Sequence, residues 1–127
     1  MTMLTLDKIY HASYVLKNTI YRTDLIYAPN ISKKCNIFLK PENLQLTGSF
    51  KVRGSYYKIS QLSEEEKEKG VIACSAGNHA QGVALAATKN GIKSLICLPD
   101  GAPISKVEAT RNYGAEICLV KGVYDDA

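Results

Sequence analysis

A chain of 127 residues is long enough for one domain with a modest core. With 46% hydrophobic and 22% charged residues and no apolar run near the ~20 residues of a membrane span, it reads as an ordinary soluble protein. Its opening, MTMLTLDKIYHA, lacks the basic and apolar regions of a secretory signal, so a cytoplasmic location is expected. The net charge of +4 is spread among mixed charges, as in Ser63-Glu64-Glu65-Glu66-Lys67-Glu68-Lys69, which argues against a nucleic-acid partner.

Leu6, Ile9, Tyr10, Ser13, Val15 and Leu16 recur at helical spacing, and Thr5 is placed to cap a helix over residues 6–16. A connecting stretch with Pro29 and Asn30 follows. Residues 36–40 read as a short strand closed by Pro41, and residues 42–48 as a loop. Ser49 is expected to cap a helix running to about Gln61. Ser63 and Glu66 have the spacing of a capping box, opening a short charged helix that Gly70 ends.

The pattern then changes. Residues 71–74 read as a short buried strand, and residues 78–89 as a helix with Val83, Ala84, Ala86 and Ala87 as its small-residue face. A second strand is expected over residues 93–98, a turn over 99–103, a helix over 104–113 and a third strand over 115–120. This β-α-β-α-β order with short connections requires a parallel sheet covered by helices. Residues 123–127 look like the first turn of another helix with nothing to terminate it, as in a chain that is cut rather than completed. Cys35, Cys74, Cys97 and Cys118 include no zinc-type pair. The last three sit in apolar runs, where free cysteine acts as a small buried hydrophobe, so no metal site is expected.

Two segments carry chemistry. In Gly48-Ser49-Phe50-Lys51-Val52-Arg53-Gly54, a lysine stands in the first turn of a helix, where the dipole favours acids. Its neighbours one turn on, Gly54 and Ser55, are small, and a glycine inside a helix is tolerated where something bulky approaches the backbone. Lys51 therefore reads either as a lysine facing a cleared space or as a solvated surface charge. Arg53, two positions on, points elsewhere and reads as structural. In Cys74-Ser75-Ala76-Gly77-Asn78-His79-Ala80-Gln81-Gly82, a small polar turn follows a strand and opens a helix. Its amides and the helix N-terminus make an anion site at the carboxyl end of the sheet. An ordinary turn capped by Ser75 or Asn78 explains the same residues, and His79 is not singled out as catalytic.

Taken together, Ser49-Phe50-Lys51-Val52-Arg53-Gly54 and Ser75-Ala76-Gly77-Asn78-His79-Ala80-Gln81-Gly82 resemble the threonine dehydratase and serine racemase branch of the fold-type II pyridoxal-phosphate enzymes. The likeness extends through Phe38-Leu39-Lys40-Pro41-Glu42-Asn43, Lys69-Gly70-Val71 and residues 99–106, and is greatest to the catabolic threonine dehydratases. It implies an α/β chain with a three-layer αβα arrangement. Residues 1–46 would open a large domain, and residues 47–127 would form most of a small one. It implies pyridoxal 5'-phosphate bound covalently by Lys51, with Phe50 beside the cofactor ring and Asn78 hydrogen-bonded to its 3-oxygen. Ser75, Ala76, Gly77, Asn78 and His79 would receive the carboxylate of L-threonine or L-serine.

The implied reaction is elimination: the freed Lys51 amine takes the α-proton, the β-hydroxyl leaves, and the product hydrolyses to ammonia and 2-oxobutanoate, or pyruvate from serine. In racemase members a serine matching Ala76 works on the second face of the substrate, so alanine favours dehydration. The glycine-rich phosphate loop and the partner of the pyridine nitrogen come from later segments, and the nine glycines here include no adjacent pair. The chain by itself is therefore expected to lack activity and to bind the cofactor weakly, and a longer form to be a homo-oligomer. A serine racemase or serine dehydratase, and a non-catalytic truncated paralogue, are the competing readings.

Overall fold

The computed structural model describes residues 3–127. Helix α1 spans Leu6–Leu16. Thr5 has the extended backbone of a cap, but its hydroxyl is buried without a partner and bonds no first-turn amide. The connecting stretch contains a strand that its two residues were too few to announce. β1 (Ile26–Tyr27) pairs antiparallel with β2 (Phe38–Leu39), which is shorter than the expected strand. The expected loop over residues 42–48 is built of two 3-10 turns, Glu42–Leu44 and Leu46–Gly48.

Helix α2 covers Lys51–Ser60. Ser49 is not its cap residue: Phe50 holds that place, and the Ser49 hydroxyl accepts a 3.4 Å hydrogen bond from the Lys51 amide. Helix α3 (Glu64–Lys69) begins with the full reciprocal capping box of Ser63 and Glu66, and Gly70 ends it at φ 81°.

The rest is the alternating unit. Strands β3 (Val71–Cys74), β4 (Ser94–Pro99) and β5 (Glu116–Val120) lie parallel in that spatial order. Helices α4 (Asn78–Lys89) and α5 (Ile104–Asn112) make the two crossovers. Two right-handed crossovers in one direction put both helices on the same face of the sheet. Ile96 and Leu98 of β4 and Ala80, Ala84, Ala86 and Ala87 of α4 fill that interface and are fully buried. Ile72, on the other face, is 69% exposed, and no residue of β3 is fully buried, so β3 is not the buried strand expected: it lies at the edge of the three-stranded sheet with one face uncovered. Small residues let α4 lie close to the sheet, as dense packing requires.

Cys74, Cys97 and Cys118 are register partners across the three strands, with Cys97 the most buried. Burial and the neighbouring Cys118 push the Cys97 thiol up from its ordinary range. Cys35 is exposed. Among the described residues no group of three or more His, Cys, Asp or Glu side chains is placed to hold a metal ion. No described helix is long and apolar enough to cross a membrane.

Candidate active site

The segment before Lys51 is tied down at several points. The Gln45 side-chain oxygen accepts from the Tyr21 amide (2.8 Å) and the Leu46 amide (2.9 Å), while its nitrogen donates to the Tyr21 carbonyl (2.7 Å). A buried amide with its bonds made on both sides fixes the chain around it. Thr47 (φ 64°) and Gly48 (φ 66°) then turn the chain through the left-handed region. For threonine this conformation is strained and persists only where the surroundings enforce it.

Glu42 and Arg53 lie on either side of this turn. Arg53 donates from Nε to Oε2 and from Nη2 to Oε1 of Glu42, both at 2.7 Å. The Thr23 hydroxyl adds a 2.6 Å bond to Oε1, and the Lys40 ammonium bonds the Thr23 carbonyl. The bonded guanidinium, helped by Thr23 and Lys40, holds the Glu42 carboxyl down at about 2 against the desolvation that opposes it. Glu42 raises Arg53 in return. Arg53 is thus the structural cation its sequence position implied.

Lys51 is exposed, with its Nζ 4.9 Å from the centre of the half-exposed Phe50 ring. Beneath it, α2 and α4 are in backbone contact. A Cβ on Gly82 would lie 3.1 Å from the Lys51 carbonyl carbon, 3.1 Å from the Ser55 hydroxyl and 3.2 Å from the Val52 amide nitrogen. The close approach expected at Gly54 is therefore found at Gly82. Gly54 itself faces open space, with no heavy atom within 4 Å of where its Cβ would stand. Asn78 is four residues before Gly82, so the two share a face of α4 one turn apart. Lys51 and Asn78 are thereby brought to neighbouring turns. His79 joins Gly54 and Ser55 in lining a cleft of about 270 Å³.

Helix α4 opens at Gly77 without a side-chain cap, and Gly77 also faces open space. The Ser75 hydroxyl is buried and accepts from the Gly77 amide at 3.3 Å, and the Ser75 amide donates to the Cys97 carbonyl at 3.2 Å. Neither Ser75 nor Asn78 caps the helix, which leaves first-turn amides and the positive end of the dipole available to an anion. Asn78 and His79 are exposed, and Ala76 is half-buried. The structure thus gathers Phe50, Lys51, Asn78 and His79 near the α2–α4 crossing, with Ser75, Ala76 and Gly77 in the turn leading to it. Sequence reasoning missed Thr23, Glu42 and Gln45. Glu42 and Arg53 are eleven positions apart on different elements, and no periodicity connects them.

The sequence pattern of the pyridoxal-phosphate dependent enzymes matches residues 16–127, and the chain belongs to that family. It is 53% identical over 127 residues to the L-threonine ammonia-lyase of Thermotoga maritima, covering 98% of this chain and 32% of that protein. It is 47% identical over 125 residues to the catabolic L-threonine dehydratase of Escherichia coli K12, covering 97% of this chain and 38% of that one. The fold superposes on maize serine racemase with a TM-score of 0.90 at 35% identity, covering 98% of this chain and 39% of that structure. The chain spans about a third of the length of the curated relatives it matches.

The residues present fit one end of pyridoxal phosphate. An exposed primary amine stands beside an aromatic ring, open space lies over Gly54 and Gly77, and an uncapped helix end adjoins them.

Proposed function

We propose that this chain is the N-terminal third of a threonine dehydratase that converts L-threonine to 2-oxobutanoate and ammonia, with Lys51 as the residue that binds pyridoxal phosphate. The observation that carries this reading is the backbone contact of α2 and α4 at Gly82, which sets the main chain of the exposed Lys51 against α4 one helical turn from Asn78 and the uncapped end of that helix. The family and the near relatives fit the same chemistry. When bound, pyridoxal phosphate supplies an electron sink for the substrate's α-carbon.

The chain's own residues do the rest. The first-turn amides of α4 and the Ser75–His79 turn bind the substrate carboxylate and orient the α-carbon. Asn78 would donate to the cofactor's 3-oxygen, and Phe50 would pack against its ring. The Lys51 amine takes the α-proton, and the β-hydroxyl leaves with its bonding electrons. Ala76 offers no acid or base on the second face of the substrate, which favours dehydration over racemisation. We place residues 1–46 in a large domain and residues 47–127 in a small one, with a further helix layer on the Ile72 face of the sheet completing a three-layer fold in a homo-oligomeric cytoplasmic enzyme.

The test joins residues 1–127 to the remaining two-thirds of the Thermotoga maritima relative. After incubation with pyridoxal phosphate and borohydride reduction, peptide mapping is expected to find the label on Lys51, and a label on another lysine rejects the reading. The joined protein is expected to form 2-oxobutanoate from L-threonine, and Lys51→Ala to lose roughly a hundredfold or more of that rate.

A further inference from the structure

We propose that Glu42 is a positioning residue for Lys51: through Arg53 it supplies the anion that the N-terminus of α2 lacks and holds the first turn of that helix in place. The inference rests on Lys51 being the cofactor-binding lysine. Helix α2 opens with Phe50 at its cap position, no side-chain cap and no acid in its first turn, while Lys51 and Arg53 put two cations there. Each of these features weakens a helix N-terminus, where the dipole favours negative charge and unpaired amides fray.

Glu42 reverses the balance from outside the helix. Its carboxylate takes both guanidinium bonds at 2.7 Å and the Thr23 hydroxyl at 2.6 Å, so two separate segments fix its position. The Glu42 side chain is 15% exposed and that of Arg53 33%, so the pair is partly shielded from solvent screening. The grip is also on the useful side. Arg53 is two residues from Lys51, so its side chain leaves the helix on a different face, and Val52 between them is fully buried. With Gly82 pressed against the Lys51 carbonyl and the Val52 amide, the first turn is held by the ion pair and by α4. The Lys51 side chain itself is exposed, with its amine over the Phe50 ring. A lysine that must meet an aldehyde and then an α-proton gains from a fixed backbone beneath a mobile amine.

The test compares the protein formed by joining residues 1–127 to the rest of the Thermotoga maritima relative with its Glu42→Gln variant in two measurements. In amide hydrogen exchange, residues 51–54 of the variant are expected to exchange at least tenfold faster, with Ile96 and Leu98 of the sheet unchanged. A loss of stability without a positioning role would instead speed both regions together, and overturns the proposal. In reductive trapping with millimolar pyridoxal 5'-phosphate and borohydride, the share of label on Lys51 relative to the other lysines is expected to fall at least threefold. An unchanged result in either measurement overturns the positioning role. A joined wild-type protein with no excess of label on Lys51 overturns the cofactor reading and this inference with it, whereas an excess undiminished in Glu42→Gln overturns this inference alone. Should Glu42→Gln fail to fold, Thr23→Val, which keeps the ion pair and removes one bond to Glu42, decides: a smaller change confined to residues 51–54 supports the role, and none overturns it.

Discussion

Lys51 and Gly82 meet backbone to backbone: a Cβ added to Gly82 would stand 3.1 Å from the Lys51 carbonyl carbon. This contact lets the first turn of α2 rest on the second turn of α4. It also fixes how far Lys51 stands from Asn78, because Asn78 and Gly82 lie on one face of α4. A larger residue at position 82 would press on main-chain atoms, which cannot swing aside as a flexible side chain does.

Gly82→Ala is therefore expected to destabilise the chain despite alanine's better helix propensity. Propensity alone would favour the change by about 1 kcal/mol, whereas forcing a methyl into a packed contact costs typically about 1–3 kcal/mol. Gly54→Ala meets nothing within 4 Å and is the control. Urea unfolding followed by circular dichroism should place Gly82→Ala at or below wild type and Gly54→Ala above it. A clearly stabilised Gly82→Ala would mean that the two helices separate freely.

Acid should loosen the base of α2 in a defined window. The Glu42 carboxyl is lowered in the folded chain from 4.5 to about 2, chiefly by its hydrogen bonds to Arg53. A lowered folded-state value means that the unfolded state binds the proton first, so Glu42 contributes its full stabilisation above about 4.5 and loses it as the pH falls toward 2. Thermal melting between pH 6 and 2 should show a decline that is shallower in Glu42→Gln. Equal slopes would show that the pair is not coupled to folding.

The strand order was legible because alternating apolar runs and helical segments with short links leave few topologies. The strands of the parallel sheet lie within a residue of the expected ends, as with Ser94–Pro99 against residues 93–98. The antiparallel pair of β1 and β2 was half hidden, since Ile26–Tyr27 is too short to show alternation. The candidate site divided in the same way. Lys51 and the Ser75–Gly82 turn stand out as local motifs, but the packing between them does not. Both Gly54 and Gly82 interrupt helices, and sequence alone cannot tell which faces a neighbour's backbone and which faces space. The Glu42–Arg53 pair depends on a turn through Thr47 at positive φ, a conformation that threonine's propensities argue against.

Gly70 and Gly91 offer a paired test of the turns that frame β3 and β4. Gly70 sits at φ 81°, ψ −173°, a region almost confined to glycine, and a Cβ there would lie 2.9 Å from the Lys93 carbonyl oxygen. Gly91 is at φ 69° with nothing within 4 Å. Alanine at 91 meets only the left-handed penalty of about 1–2 kcal/mol. Alanine at 70 meets backbone strain of order ~1–3 kcal/mol together with a clash against main chain that carries the β3–β4 pairing. Gly70→Ala should lower the urea midpoint more than Gly91→Ala, and the reverse order would mean that the α3–β3 junction shifts without cost.

Ala76 gives a prediction about reaction outcome. It stands half-buried in the turn before α4, next to the buried Ser75, and carries no group that can donate or accept a proton. Racemisation needs a proton delivered to the face of the α-carbon opposite the one from which it was taken, whereas elimination needs the proton removed from one face only. In the protein formed by joining residues 1–127 to the rest of the Thermotoga maritima relative, L-serine should give pyruvate with little D-serine. Ala76→Ser should raise the ratio of D-serine to pyruvate, because its hydroxyl would enter the turn proposed to bind the substrate carboxylate. Chiral chromatography of the product mixture measures that ratio directly. Substantial D-serine from the chain with Ala76 in place would show that another group protonates the second face, and would move the assignment toward a racemase.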